Sequence, residues 1–378
     1  MKATTTNNKA KFQVALIAIV AIVFFGLSFL CWFMKTDSYS ESERRVLASM
    51  PVISKENISS GKFMTAFEEY TTDRFPFRDE FRRLKAVTQL GVFRQKANND
   101  IYIADGYVAK MEYPMNPYML ENAVKKFRYI YETYLAEFDG KIYLSLIPDK
   151  SFFLAKPNGY LSMDYNAFFD YMQKNTKDFM QYIDLSGILS VEDYYKTDTH
   201  WKQENLIKDG GVAQTIAEAM GNNLTWKYEE KVSETPFYGV YYGQSALPLE
   251  PDQMIYLQND MLDACTVTSY SNGKPVDKSV YDMSKLEGRD PYEMFLSGSE
   301  PLLVVENPNA VTVKELVVFR DSFGSSLIPL LIESYSKVTI IDIRYMSSSI
   351  IGEFVDFTHQ DVLFLYSTLV LNSSTSFK

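Results

Sequence analysis

Between residues 315 and 367 short apolar runs alternate with helix-like segments, and this alternation constrains the fold more than any other feature of the chain. The pattern reads as strand 315–320, helix 323–334, strand 338–343, helix near 346–356 and strand 361–367. Strands that follow one another through helical crossovers form a parallel sheet with helices packed on its faces. Earlier segments repeat the theme. An amphipathic helix from Leu120 to Phe138, stopped at Gly140, precedes a buried-strand candidate, Lys141 to Ile147, that ends at Pro148. A helix between Asp164 and Tyr182 leads to an apolar strand near Ile183 to Leu185, and residues 203–220 read as a helix interrupted by Gly210-Gly211. Ile101 to Ile103, the Asp105-Gly106 turn and Tyr107 to Met111 read as a hairpin. Residues 224–310 differ: aromatics, several prolines and the Asn272-Gly273 hairpin signal read as an inserted β-rich region.

The run from Phe12 to Met34 is uncharged and apolar, and as a helix it would reach about 34 Å, enough to span a bilayer. It is longer than a usual signal-peptide core, no A-x-A site follows it, and Ser28-Phe29-Leu30 before Cys31 is not a lipobox, so an uncleaved anchor is expected. Lys2, Lys9 and Lys11 precede the run while Asp37, Glu41 and Glu43 follow it, with Lys35 a small exception. Positive-inside bias then makes residues 1–11 a cytoplasmic tail, 12–34 the transmembrane anchor and the rest extracytoplasmic. Residues 35–98 look like a helical stalk or collar, with Phe63, Ala66, Phe67 and Tyr70 at helical spacing before a break at Asp73 to Arg78. Residues 99–378 form the main domain.

Only Cys31 and Cys265 are present, and the first lies in the membrane run, so no disulfide and no cysteine zinc site are expected. The net charge is −10, and residues 1–35 carry lysines but no acids, so the outer part is more acidic still. Such a field repels nucleic acid and anionic lipid. No nucleotide-binding loop or coenzyme motif is evident, and no cofactor or metal is expected.

The chemistry concentrates in two short runs. Asp198-Thr199-His200-Trp201 contains one of only two histidines, and side chains at i and i+2 of an extended segment leave the same face. Asp198 can therefore lie against one imidazole nitrogen while the other meets a nucleophile. The second run supplies Ser322, placed between the apolar strand Leu316 to Phe319 and a helix opening at Gly324. This is the carboxyl edge of a parallel strand, where open α/β sheets bind ligands, and a helix N-terminus there favours an oxyanion. Asp321 or Ser322 acting only as a helix cap is the plainer reading of the local sequence. Together the runs point to acyl transfer.

Asp198-Thr199-His200-Trp201, the run Arg320 to Leu327, the segment Asp73 to Arg78 and the turn Ile147-Pro148-Asp149-Lys150 together resemble the DHHW family, itself similar to the SGNH-like alginate O-acetyltransferases. The resemblance covers nearly the whole chain outside the anchor. It implies an SGNH-hydrolase-like α/β fold with the Asp-x-His pair before the serine, as if circularly permuted. It makes Ser322 the nucleophile, His200 the general base and Asp198 its orienting carboxylate. Thr199 departs from the second histidine of the family's name, a change that alginate-type enzymes tolerate. Tyr238-Gly239 resembles a family segment near the site, so an oxyanion or substrate contact stands there beside the reading of a plain turn.

Trp201 is either a sugar-stacking residue or packing behind the loop. His359 reads as a loop or capping residue, and Asp149-Lys150, just past a strand, as a pair that helps shape the site or, more simply, as an exposed turn pair. The resemblance implies a membrane-anchored extracytoplasmic serine acyltransferase that O-acetylates a cell-surface or secreted polysaccharide. It also implies a membrane-bound O-acyltransferase partner that passes acetyl groups across the bilayer. A carbohydrate esterase with the same triad, or a non-catalytic glycan-binding or assembly protein, remain the other readings.

Overall fold

The computed structural model describes residues 2–33, 38–40, 42–225, 227–271 and 273–378. Met34, Lys35, Asp37 and Glu41, used above for the anchor's end and flanking charges, and Asn272 of the expected hairpin turn lie outside them. The chain divides into two compact units, residues 1–94 with 246–248, and residues 95–245 with 249–378.

In the first unit a helix runs from Lys2 to Phe33, and its stretch Lys11–Cys31 is long and apolar enough to cross a membrane. Helices Lys62–Asp73 and Arg78–Val87 follow, separated at the Asp73 to Arg78 break. The break holds a cluster of opposite charges. Asp73 accepts from Arg45 at 2.8 Å and from the Ala48 amide, and Glu43 pairs with Arg78 and Arg82. The Arg45 hydrogen bond, opposed by partial burial, lowers Asp73 to about 2.

The second unit is built on one eight-stranded sheet whose strands are numbered here in chain order: β1 Ile142–Ile147, β2 Gln181–Ile183, β3 Thr266–Ser269, β4 Val276–Lys278, β5 Leu302–Glu306, β6 Glu315–Arg320, β7 Lys337–Ile341 and β8 Asp361–Ser367. Their spatial order is β4-β3-β5-β7-β6-β8-β1-β2. From β7 to β2 the pairing is parallel, and β5, β3 and β4 add an antiparallel edge beyond β7. The sheet is thus mixed. Because successive side chains leave opposite faces, Leu316 and Val318 of β6 join one core with Leu363 and Leu365 of β8. Val317 and Phe319 join the other core with Val362 and Phe364. Burial on both faces explains why these strands read as unbroken apolar runs.

β6 and β8 lie where the alternation places them. Elsewhere the structure departs from the sequence reading for identifiable reasons. The stretch read as helix 323–334 is a single α-turn, Gly324–Leu327, followed by tight turns, because Pro329 has no N–H to continue the ladder. Residues 203–220 form a short 3₁₀ turn, Gln203–Asn205, and are α-helical only from Val212 to Ala219. The Gln203 side chain is drawn into the core instead, donating to the Ser326 carbonyl and accepting from the Leu257 amide. The helix beginning at Asp164 ends at Thr176, where Arg128 holds the Asn175 carbonyl and the Asp178 carboxylate. The β-rich stretch 224–310 is inserted in sequence, yet β3, β4 and β5 complete the central sheet. Only Glu229–Val232 paired with Ile255–Gln258 forms a small sheet of its own there.

Candidate active site

The carboxyl ends of four adjacent parallel strands supply the chemistry. β6 leads into Asp321 and Ser322, β8 into Thr368, β1 into Asp149 and Lys150, and β7 into Asp342. Asp321 is fully buried and shapes the serine turn: one carboxylate oxygen accepts from the Phe323 amide at 3.0 Å, the other from the Ser367 amide at 2.7 Å. Those bonds tie the end of β6 to the end of β8. Ser322 stays partly accessible between buried neighbours. Gly324 is required close behind it, since a Cβ there would lie 2.8 Å from the Arg320 Cβ.

Asp198, His200 and Ser322 come together across a sequence separation of 122 residues. His200 Nε2 lies 2.7 Å from Ser322 Oγ, and His200 Nδ1 lies 2.6 Å from Asp198 Oδ1. With a proton on Nδ1, the imidazole donates to Asp198 and accepts from the serine hydroxyl. Asp198 Oδ1 also accepts from the His200 amide, and Oδ2 accepts from the Val240 amide at 2.8 Å. Burial works hardest on Asp198, against its charge. The His200 charge and these hydrogen bonds outweigh it and hold the carboxyl well below the usual carboxylate range.

The loop carrying the pair is fixed from several sides. Asp252 accepts from the Lys196 and Thr197 amides and from the Thr197 hydroxyl. The Gly239 amide donates to Thr197 Oγ1, and a Cβ on Gly239 would sit 2.4 Å from the Asp198 backbone. Gly239 is therefore neither a plain turn nor an oxyanion donor: its N–H is already engaged, and its missing side chain lets two backbones touch. Tyr238 beside it is 42% exposed, and its ring packs against Tyr242.

Trp201 is wholly buried, so it presents no face to a sugar. Its indole N–H reaches the Phe323 carbonyl and Ser326 Oγ, both at 3.0 Å, and ties the histidine loop to the serine turn. The expected helix N-terminus is also different. Its amides at Phe323, Gly324 and Ser325 are bonded within the turn, to Asp321 and Ser322. Thr199 accepts from the Tyr241 hydroxyl.

Three groups escape a sequence reading. Tyr292 stacks on His200 with ring centroids 3.8 Å apart and planes 6° apart, and its hydroxyl bonds Ser326. With 27 tyrosines in the chain, nothing marks this one out. Asp252 is likewise unmarked. The third is Lys150, read above as half of an exposed pair with Asp149. Both are almost completely buried. Asp149 caps the helix Lys150–Leu154 and accepts from Tyr165 and Thr368, while burial pushes it up to about 6. The position just past a parallel strand was the signal available for both.

His359 lies at the opposite end of the sheet, before β8, exposed and 3.0 Å from Asp139. Among the described residues no group of three His, Cys, Asp or Glu side chains is arranged to hold a metal.

The family model for DHHW protein matches residues 164–341, which contain both motifs. PatB1 of Bacillus cereus is 18% identical, with 72% of this chain and 96% of that one covered and a TM-score of 0.56. The same protein with a sulfonyl adduct gives 17% identity, 72% and 97% coverage and a TM-score of 0.55. A DHHW family protein from Eubacterium siraeum gives 17% identity, 74% and 94% coverage and a TM-score of 0.54. At these identities the likeness is one of fold. No curated protein matches the chain.

Proposed function

We propose that this DHHW-like chain is a membrane-tethered serine acyltransferase that moves acetyl groups onto hydroxyls of an extracytoplasmic polysaccharide. The observation that carries the reading is the unbroken line Asp198, His200, Ser322, with both contacts at hydrogen-bond distance. His200 Nε2 takes the proton as Ser322 Oγ attacks the donor's acyl carbon, and Asp198 holds the other nitrogen protonated and steadies the imidazolium. The collapsing tetrahedral adduct expels the donor's leaving group, which receives the proton from His200. A glycan hydroxyl, deprotonated by the same nitrogen, then attacks the acyl-enzyme and restores Ser322. The apolar helix and its preceding lysines support a tether with the N-terminus inside, and a membrane-bound O-acyltransferase would hand over the acetyl group. The exposed Tyr238 ring is offered to the sugar.

A sulfonyl fluoride, chosen because the fold also occurs in PatB1 with a sulfonyl adduct, tests the nucleophile. The full chain in detergent should be labelled on Ser322, with labelling lost in Ser322→Ala and at least about 10³-fold slower in His200→Ala. Given a chromogenic acetyl ester and an oligosaccharide, the chain should yield acetylated sugar in preference to free acetate. Free acetate alone would make it an esterase. No labelling and no turnover would leave a binding protein.

A further inference from the structure

Lys150 is buried to 2% exposure, yet among the described residues its ammonium makes no ion pair with a carboxylate. It crosses instead to the underside of the loop that carries the Asp-His pair. There it donates to the main-chain carbonyls of Tyr195 at 2.9 Å and Lys196 at 3.0 Å. Its remaining face lies over the Tyr241 ring, 5.0 Å from the centroid. Two carbonyls and a ring face suit the three hydrogens of an ammonium ion. On the other side of the same segment Asp252 collects the amides of Lys196 and Thr197. Residues 195–197 are thus held by a cation on their carbonyls and an anion on their amides, immediately before Asp198.

Burying an ammonium is costly, and a methionine of similar length would fill the space without that cost. Packing alone does not explain a lysine here. The charged groups that face it are Asp198, Asp252, Asp149 and Lys202, so its field reaches the acid of the catalytic line. Burial pulls the ammonium down to about 7 while those three aspartates pull it back, so the side chain carries its charge below that value, across the acid limb of activity.

We infer that Lys150 is a positioning residue for the acyl-transfer site: it clamps the Tyr195 and Lys196 carbonyls and sets the field in which His200 exchanges its proton. The inference rests on the reading of His200 as the base of Ser322. A cation on this side of the loop opposes a second positive charge on His200. Its removal therefore raises the affinity of His200 for a proton and moves the acid limb of activity to higher pH.

The test uses the full chain in detergent, labelled at histidine ring carbon, so that the titration of His200 is followed without any turnover. Lys150→Met should slow sulfonyl labelling of Ser322 by about 10- to 100-fold. It should also raise the His200 midpoint and the acid limb together by roughly 0.5 to 1 pH unit. Lys150→Arg should return the midpoint toward that of the unaltered chain. If Lys150→Met does not fold, Lys150→Gln keeps donors for the carbonyls and removes the charge, and the same upward shift is expected. A folded Lys150→Met or Lys150→Gln whose His200 midpoint matches the unaltered chain overturns the inference. Absence of labelling in the unaltered chain would instead sink the acyltransferase reading and leave the midpoint comparison standing.

Discussion

Both histidines of this chain carry an aspartate on Nδ1, and the loops that hold them lie at opposite ends of the same sheet. At the carboxyl end, the His200 side chain is 8% exposed and that of Asp198 2%. At the amino end the corresponding figures for His359 and Asp139 are 83% and 71%. The first pair has its acid bonded to two amides, its ring stacked on Tyr292 and a serine on the second nitrogen. Among the described residues the second shows only the contact between its members, in water that weakens such contacts to near nothing. An acid beside an imidazole is therefore common chemistry. The scaffold turns it into a candidate for catalysis by denying both partners any other geometry.

The comparison breaks most sharply at Gly239. Alanine there would push a methyl group into the Asp198 backbone and displace the acid without touching any reacting atom. Gly239→Ala should lower kcat/KM for a chromogenic acetyl ester by about 100-fold, the scale expected for a shift near 1 Å. Ester kinetics beside a thermal melt will read this, and full activity in a folded variant would show that the Asp198 loop has slack.

A smaller effect is expected where the ring stack is removed. Tyr292→Leu should lower kcat about 10-fold, and Tyr292→Phe, which keeps the stack and loses only the bond to Ser326, should lose less than about 3-fold. Equal losses in the two variants would assign the effect to the hydroxyl rather than to the ring. The smallest effect belongs to the exposed pair. His359→Ala should leave ester turnover unchanged and move stability, measured by urea denaturation, by no more than about 0.5 kcal/mol. A loss of activity there would erase the distinction between the two ends of the sheet.

Most of the parallel half of the sheet was legible because β1, β6, β7 and β8 are short apolar runs followed by turn or helix signals, whereas β2, which opens on the polar Gln181, was read two residues late as Ile183 to Leu185. Both boundaries of β6 follow from that pattern. Of the antiparallel edge, the β3–β4 pairing was legible from the hairpin signal between its two runs, but the attachment to the sheet was not, because β3 and β5 find their partners through long-range pairing with each other and with β7. A local pattern of hydrophobicity cannot specify such partners. The same division runs through the site. Asp198 and His200 are two residues apart in one bent loop, where the Asp198 carboxylate also accepts from the His200 amide, and Ser322 follows a strand, so their chemistry is written locally. Lys150, Asp252 and Tyr292 matter only through residues far away in the chain, and the choice between sugar contact and packing for Trp201 stayed open in the sequence because burial is a tertiary property. Pro329 is the opposite case, a local breaker underestimated beside a helical pattern.

The order of strands has a temporal consequence. β8, the last strand among the described residues, is inserted between β6 and β1, so the strand that leads into Ser322 has no lateral connection to β1 until residues 361–367 arrive. A ribosome releasing the chain from its N-terminus delivers the histidine loop early and the closing strand last. The serine turn, whose Asp321 waits for the Ser367 amide, stays unfinished throughout that interval. The geometry of the serine turn is thereby written into residues made some forty positions after Ser322, so its shape is a property of the closed sheet rather than of the local turn.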